Sequence, residues 1–216
     1  MSESKYSTLV NILDQIRKEA PQEYKRYHVL ETDIDKLNQA RSRAFIHLFL
    51  KVRFGLLDFK AREYYITDDS YDGGIDAYFI NKETKQICFI QAKFRTTADN
   101  FHKNEISFNE LLRMDVDRIT EGKETDEDGN EYNGKIKQLQ RDISTVGDIG
   151  RYSYDVIILA NLKDKHSSNL RKLTGVFSTT VFDYSRTYSD LVFPVVSGTY
   201  YNEKELCIKL NLSNTT

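Results

Sequence analysis

The chain has 216 residues, 39% of them hydrophobic, which is enough for one sizeable core, and a single domain over 1–216 is expected. Charged residues make up 30% with the signs nearly balanced, and the formal net charge of -2 excludes a bulk basic binder; any nucleic-acid contact must come from a local patch. Cys88 and Cys207 stand far apart in apolar runs, which excludes a disulfide framework, and no apolar stretch reaches the length of a signal peptide or membrane span, so the cytoplasm is the expected setting.

Leu9, Ile12, Leu13 and Ile16 recur at helical spacing after Ser7 and Thr8 and predict a helix that stops before Pro21. A second helix is predicted from about Asp33 to Val52, with Leu37, Ala44, Leu48 and Val52 on one stripe, Phe45 and Phe49 widening it and Gly55 ending it. Together these place N-terminal helices at about 7–53. From Glu63 the texture changes to short runs, Tyr64 to Thr67, Ile75 to Ile80 and Ile87 to Phe94, read as strands of a sheet core at about 63–95.

Phe108 to Ile119 again has helical spacing, and the polar, acid-rich stretch at about 120–134 reads as a surface insertion. A short helix is predicted around Ile136 to Ile143. Val156 to Ala160 is a continuous apolar run suited to the centre of a sheet, and Leu206 to Leu212 alternates like an edge strand. The mixture predicts an α/β architecture, a mixed central sheet flanked by helices.

Asn81 to Lys85 supplies turn-tolerant residues between two of the strands, so the simplest arrangement is an antiparallel hairpin centred between Glu83 and Thr84. That centring sets Asp76 opposite Gln91, roughly 5 Å away, with Lys93 two residues along on the same face. Cys88, Ile90, Ala92 and Phe94 then form the core-facing set, and the polar triplet lies on a wet face. Gly73 and Gly74 are expected to let the backbone bend before Asp76 and to leave room for a ligand.

Carboxylate, amide oxygen and ammonium brought together suit phosphodiester hydrolysis. Asp76 and the Gln91 carbonyl oxygen are hard ligands for Mg2+ or Mn2+, and Lys93 is placed to hold water or stabilise the phosphate. A carboxylate in place of the amide, Gln91→Glu, is expected to add charge and tighten metal binding.

These residues resemble a known family. Asp76 with Gln91-Ala92-Lys93 is similar to the D...(E/Q)xK motif of the PD-(D/E)xK nuclease superfamily. Arg41 to Phe45, Ile66 to Asp68, Asp72 to Ala77 and Ile90 to Phe94 together look like the N-terminal domain of abortive-infection phage-resistance (AIPR-type) proteins, over about Arg41 to Arg95. The resemblance implies a restriction-endonuclease-like fold, a metal-dependent endonuclease in bacterial anti-phage defence, and a larger C-terminal region or partner protein. Many superfamily members carry a metal-binding glutamate just after an Ala-Phe pair, where this chain has Ile46; Asp72, Glu31, Asp33, Asp35 and Asn38 are the alternatives.

DNA is favoured over RNA as the partner, no membrane is expected, and a homodimer is left open. Arg41, Arg43, Lys82, Lys85 and Arg95 are the candidate phosphate contacts, with a solvated face or ion pairs as the plainer reading. The rival function is a nuclease-like module that binds nucleic acid or a partner protein without cutting. Asp126 to Glu131 reads as an acidic turn rather than a calcium loop, the histidines carry no chemistry, and the tyrosines are read as packing.

Overall fold

The Asp33 carboxylate accepts the Lys36 amide at 3.2 Å, and Gly55 adopts φ 68°, so the long helix between them has a polar cap at one end and a left-handed stop at the other. The structure, a computed structural model, describes residues 2–95, 97–99, 103, 106–163 and 167–199. Its contacts gather into two compact units, one of Met1–Glu63 with the chain from Ser185 on, the other of Tyr64–Tyr184.

In the first unit α1 (Ser2–Lys18) begins earlier than Ser7 and buries Leu9, Ile12, Leu13 and Ile16, the stripe read from the sequence. α2 (Ile34–Phe54) packs against it and buries Leu37, Ala44, Leu48 and Phe49. A third helix, α3 (Phe59–Tyr64), stands where the strand texture was expected to begin. Its start is fixed by Asp58, whose side chain accepts the Ala61 amide at 2.8 Å. The strand expected over Tyr64 to Thr67 is reduced to one bridge, Ile66 with Ala77.

The second unit holds a four-stranded mixed sheet in the order β1 (Ala77–Asn81), β2 (Gln86–Ala92), β3 (Ser153–Leu159), β4 (Ser178–Val181). β1 and β2 form the expected antiparallel hairpin with Ala77 opposite Ile90 and Asn81 opposite Gln86, the register read from the sequence. The Asn81 side chain holds the turn by accepting the Glu83 and Thr84 amides. β3 runs parallel to both β2 and β4, and its Val156 to Ala160 run is buried throughout, as a central strand requires.

Two expectations are corrected here. The single helix over Phe108 to Ile119 is instead a 3-10 turn at Phe108–Glu110, an extended stretch, and the short α4 (Val116–Thr120). The backbone between them is committed elsewhere: the Met114 amide donates to the Leu173 carbonyl and the Asp115 amide to the Gly73 carbonyl, both at 2.8 Å. The second concerns the wet face of the hairpin. Ile87 and Phe89, which alternate with Cys88 and Ile90, are also fully buried. They form one core with Tyr78, Val156, Ile158, and Ile136, Leu139 and Ile143 of α5 (Gly134–Ser144). Both faces of β2 are dry, and Gln91 is 4% exposed.

α6 (Ser167–Thr174) precedes β4. After the sheet come α7 (Tyr184–Thr187), a π-helical turn at Tyr188–Val192 and α8 (Phe193–Ser197); within the first unit α1 and α2 both contact the π turn. The edge strand expected over Leu206 to Leu212 lies outside the described residues. Among the described residues no helix is long and apolar enough to cross a membrane.

Candidate metal centre

The chain between Ile66 and Ala77 doubles back on itself. The Thr67 and Asp68 amides both donate to the Asp76 carbonyl, at 2.9 and 3.1 Å, and the Ile75 amide donates to the Asp72 carbonyl at 3.1 Å. Left-handed backbone at Tyr71, Gly73 and Gly74 makes the reversal. The reversal gathers three acids spaced at every fourth position: Asp68, Asp72 and Asp76 each offer a carboxylate oxygen within 4.8 Å of the others. Opposed oxygens around a divalent cation lie about 4.2 Å apart for magnesium and about 5 Å apart for calcium, so the trio is close to a coordination shell.

Asp76 sits one residue before β1, just beyond the paired register, which ends at Ala77 opposite Ile90. Its amide donates to the Ile90 carbonyl at 2.9 Å and its Oδ2 accepts the Ala92 amide at 2.7 Å. One carboxylate oxygen thus stands in for a strand carbonyl. Asp72 is buried, and its Oδ1 accepts the Gly74 amide at 2.8 Å. Burial above all, then the negative charges of Asp68 and Asp69, outweigh the backbone hydrogen bonds and push its carboxyl up to about 6. A cation beside it would relieve that cost.

Gln91 donates from Nε2 to the Gly74 carbonyl at 2.6 Å and to the Leu112 carbonyl at 3.1 Å. Both partners are acceptors, so the amide orientation is fixed and Oε1 is its remaining acceptor. That oxygen is buried and has no hydrogen-bond partner among the described residues, a state that normally costs about 1–3 kcal/mol. An oxygen in this condition fits a cation-binding role. Lys93 follows on the same strand line, half-buried, its amide donating to the Leu159 carbonyl at 3.0 Å.

Open space does lie beside the two glycines, although neither position could carry a side chain. A Cβ on Gly74 would lie 2.5 Å from the Arg113 carbonyl oxygen, and one on Gly73 would lie 2.9 Å from Ile119 Cδ1. That space is a pocket of about 390 Å3 lined by Gly73 and Gly74 together with Asp72, Arg113, Asp115 and Asp126 among others. The acidic turn places Asp126 as expected, its carboxylate accepting the Asp128 and Asn130 amides.

Of the candidate phosphate contacts, Arg41 and Arg43 belong to the first unit and Lys82, Lys85 and Arg95 to the second. Arg41 grips Asp14 with two hydrogen bonds at 3.0 and 2.7 Å, and Arg95 is ion-paired with Glu110. Arg43 is half-buried on α2. Lys82 and Lys85 sit at the hairpin turn, roughly 20 Å along the strand from Asp76. Glu31 is strongly exposed, lies 3.8 Å from Arg17, and is not a member of the acid trio. Asp33 is the cap of α2.

Asp68 is the member of the trio that the motif did not assign as a ligand. The signal for it was the spacing of three acids by four across a segment with two consecutive glycines, which a reversing loop brings together. No family model, curated protein or solved structure matches the chain.

Proposed function

We propose that the chain is a metal-dependent nuclease domain: its resemblance to the PD-(D/E)xK superfamily implies Asp76, Gln91 and Lys93 as the centre, and the acid cluster adds Asp68 and Asp72. The observation that carries the reading is the coincidence of three carboxylates within 4.8 Å with a buried, unpartnered Gln91 oxygen on the strand opposite Asp76. Asp68, Asp72 and Asp76 would hold Mg2+ or Mn2+, with Gln91 Oε1 as a neutral oxygen donor. The ion would supply charge neutralisation at a phosphate and a lowered pKa for a water.

The chain's own residues do the rest. The Ala92 amide orients the Asp76 carboxylate, the Gly74 amide orients Asp72, and Lys93 brings a positive charge to the same strand end, where phosphate charge develops. DNA is the favoured substrate, and anti-phage defence, together with a larger C-terminal region or partner that supplies target choice, is the setting that the resemblance implies.

A second reading is a nuclease-like module that binds without cutting, favoured by the two backbone carbonyls that occupy the Gln91 amide and give it a structural duty. The separating experiment offers supercoiled DNA, linear DNA and single-stranded RNA to the chain with Mg2+, with Mn2+ or with excess chelator. Metal-dependent cleavage abolished by Lys93→Ala supports the enzyme. Cleavage that persists in chelator, or is unchanged by that substitution, removes the assignment.

A further inference from the structure

A second polar pocket of about 290 Å3 lies at the open edge of β1, close to the lower end of small-molecule sites in size. Tyr64, Ile80, Lys82 and Asp142 line it, and the nuclease reading uses none of them as metal ligands or as the catalytic lysine. Tyr64 is 44% exposed, yet it is held firmly. Its hydroxyl donates to Asp142, its carbonyl accepts from Lys135 Nζ and Gln138 Nε2, and its ring meets Tyr65 edge-on at 5.1 Å. Asp142 is held as well by the Tyr78 hydroxyl, which donates to its Oδ2 at 2.6 Å and in turn accepts Gln138 Nε2 at 2.8 Å. An aromatic wall and a carboxylate are thus organised before any ligand arrives, which lowers the cost of binding.

The sheet edge adds a directional pair. The Tyr78 amide points away from β2 and donates to the Tyr65 carbonyl at 3.1 Å. By strand alternation the N–H and C=O of Ile80 point the same way, beyond the reach of that bridge. Among the described residues the edge is closed on one side by Tyr65 and Ile66 and ends on the other at the turn, so a single donor and acceptor are offered. A peptide strand needs several such pairs, whereas the edge of a nucleobase needs only one. Lys82, exposed on the turn just beyond, supplies positive charge for a phosphate.

We infer that this pocket binds a mononucleotide, the base lying against Tyr64 with its polar edge on Ile80, a ribose hydroxyl on Asp142 and the phosphate toward Lys82. The inference stands independently of the metal centre. A carboxylate accepting from two hydroxyls retains room for a third donor, and a base lying on tyrosine is tolerant of sequence because every base has a flat face.

The test is calorimetric titration of the full chain with AMP and GMP, with ribose 5-phosphate and inorganic phosphate as baseless controls, in metal-free buffer. Binding by the nucleotides and not by the controls is expected. Tyr64→Ala should weaken binding roughly tenfold, the loss of one stacked base. Lys82→Glu, at an exposed turn position that cannot disturb the core, should weaken it by a similar factor and flatten its salt dependence. No heat with either nucleotide at millimolar concentration, equal binding of ribose 5-phosphate, or wild-type affinity in Lys82→Glu overturns the proposal.

Discussion

The Asp76 carboxylate accepts the amide of Ala92 at 2.7 Å, so the acid at the head of the candidate centre is also a rung of the sheet. Asp76→Ala removes the acceptor from a buried amide and should cost about 1–3 kcal/mol of stability. Asp76→Asn keeps an oxygen at that position and should stay within about 1 kcal/mol of the parent while losing the charge a cation needs. Urea denaturation of both variants beside a Mn2+ titration separates the two duties. Equal stability in Asp76→Ala and Asp76→Asn would mean the rung carries nothing.

Gln91→Glu was expected from the motif to tighten metal binding, and the geometry reverses the balance. The Nε2 group donates to the Gly74 and Leu112 carbonyls, and a carboxylate oxygen in its place would face two acceptors. The substitution should lower stability by at least about 2 kcal/mol, with any gain in metal affinity visible only in the fraction that remains folded. A Gln91→Glu protein as stable as the parent would sink the anchoring role.

Gly74 and Gly122 both have positive φ, 72° and 76°, but only the first is hemmed in. Gly122→Ala meets nothing within 4 Å and should cost about 1 kcal/mol, the strain of left-handed backbone alone. Gly74→Ala adds a collision with the Arg113 carbonyl and should cost clearly more, roughly 3 kcal/mol. Paired melting curves decide it, and equal losses would contradict the tight contact.

Acid should loosen the first unit through Glu63 and His47. Burial alone would raise the Glu63 carboxyl, but hydrogen bonds from His47, Tyr27 and Arg26 together hold it down at about 2. A carboxyl lowered in the folded state stabilises fully above its unfolded value near 4.5, and that contribution fades as pH falls toward 2. It is worth about 3 kcal/mol at neutral pH. His47 is completely buried, and burial above all holds its imidazole below the usual value; Arg62 donates to its Nδ1, which marks it as neutral. A histidine lowered in this way also withdraws stability as pH falls through its unfolded value. Glu63→Gln should therefore unfold with a shallower dependence on pH between 5 and 3, as followed by circular dichroism; a slope equal to the parent's would show that Glu63 is not the titrating group.

The hairpin could be read from the sequence because its determinants are local. Polar residues at 81–85 turn the chain, and one residue of slippage would reverse every side chain of β2. The acids at 72 and 76 were visible for the same reason. What was hidden depends on partners far along the chain. The burial of Gln91 follows from Gly74 and Leu112 on one side and from a core completed by α5, more than 40 residues later. The break in the helix after Glu110 follows from hydrogen bonds to Gly73 and Leu173. β4, with Ser178, Thr179 and Thr180, has too little apolar character to announce a strand. For Arg41 and Arg95 the sequence left phosphate contact and the plainer readings open together, because charge in a sequence does not name its partner.

The strand pairings also imply an order of events in folding. β1 closes on β2 across a short turn, an event on the scale of about 1–10 µs. β2 must wait for β3, since Gln86 pairs with Ser153 across a long intervening chain, and loop closure of that length is slow. The acids at 68, 72 and 76 come from one local segment and can assemble with the hairpin, whereas the Leu112 carbonyl that secures Gln91 arrives with the later crossover. A nascent chain that has emerged only through β2 therefore carries the acids with the amide held by Gly74 alone, and the centre matures only after its distant neighbours have docked.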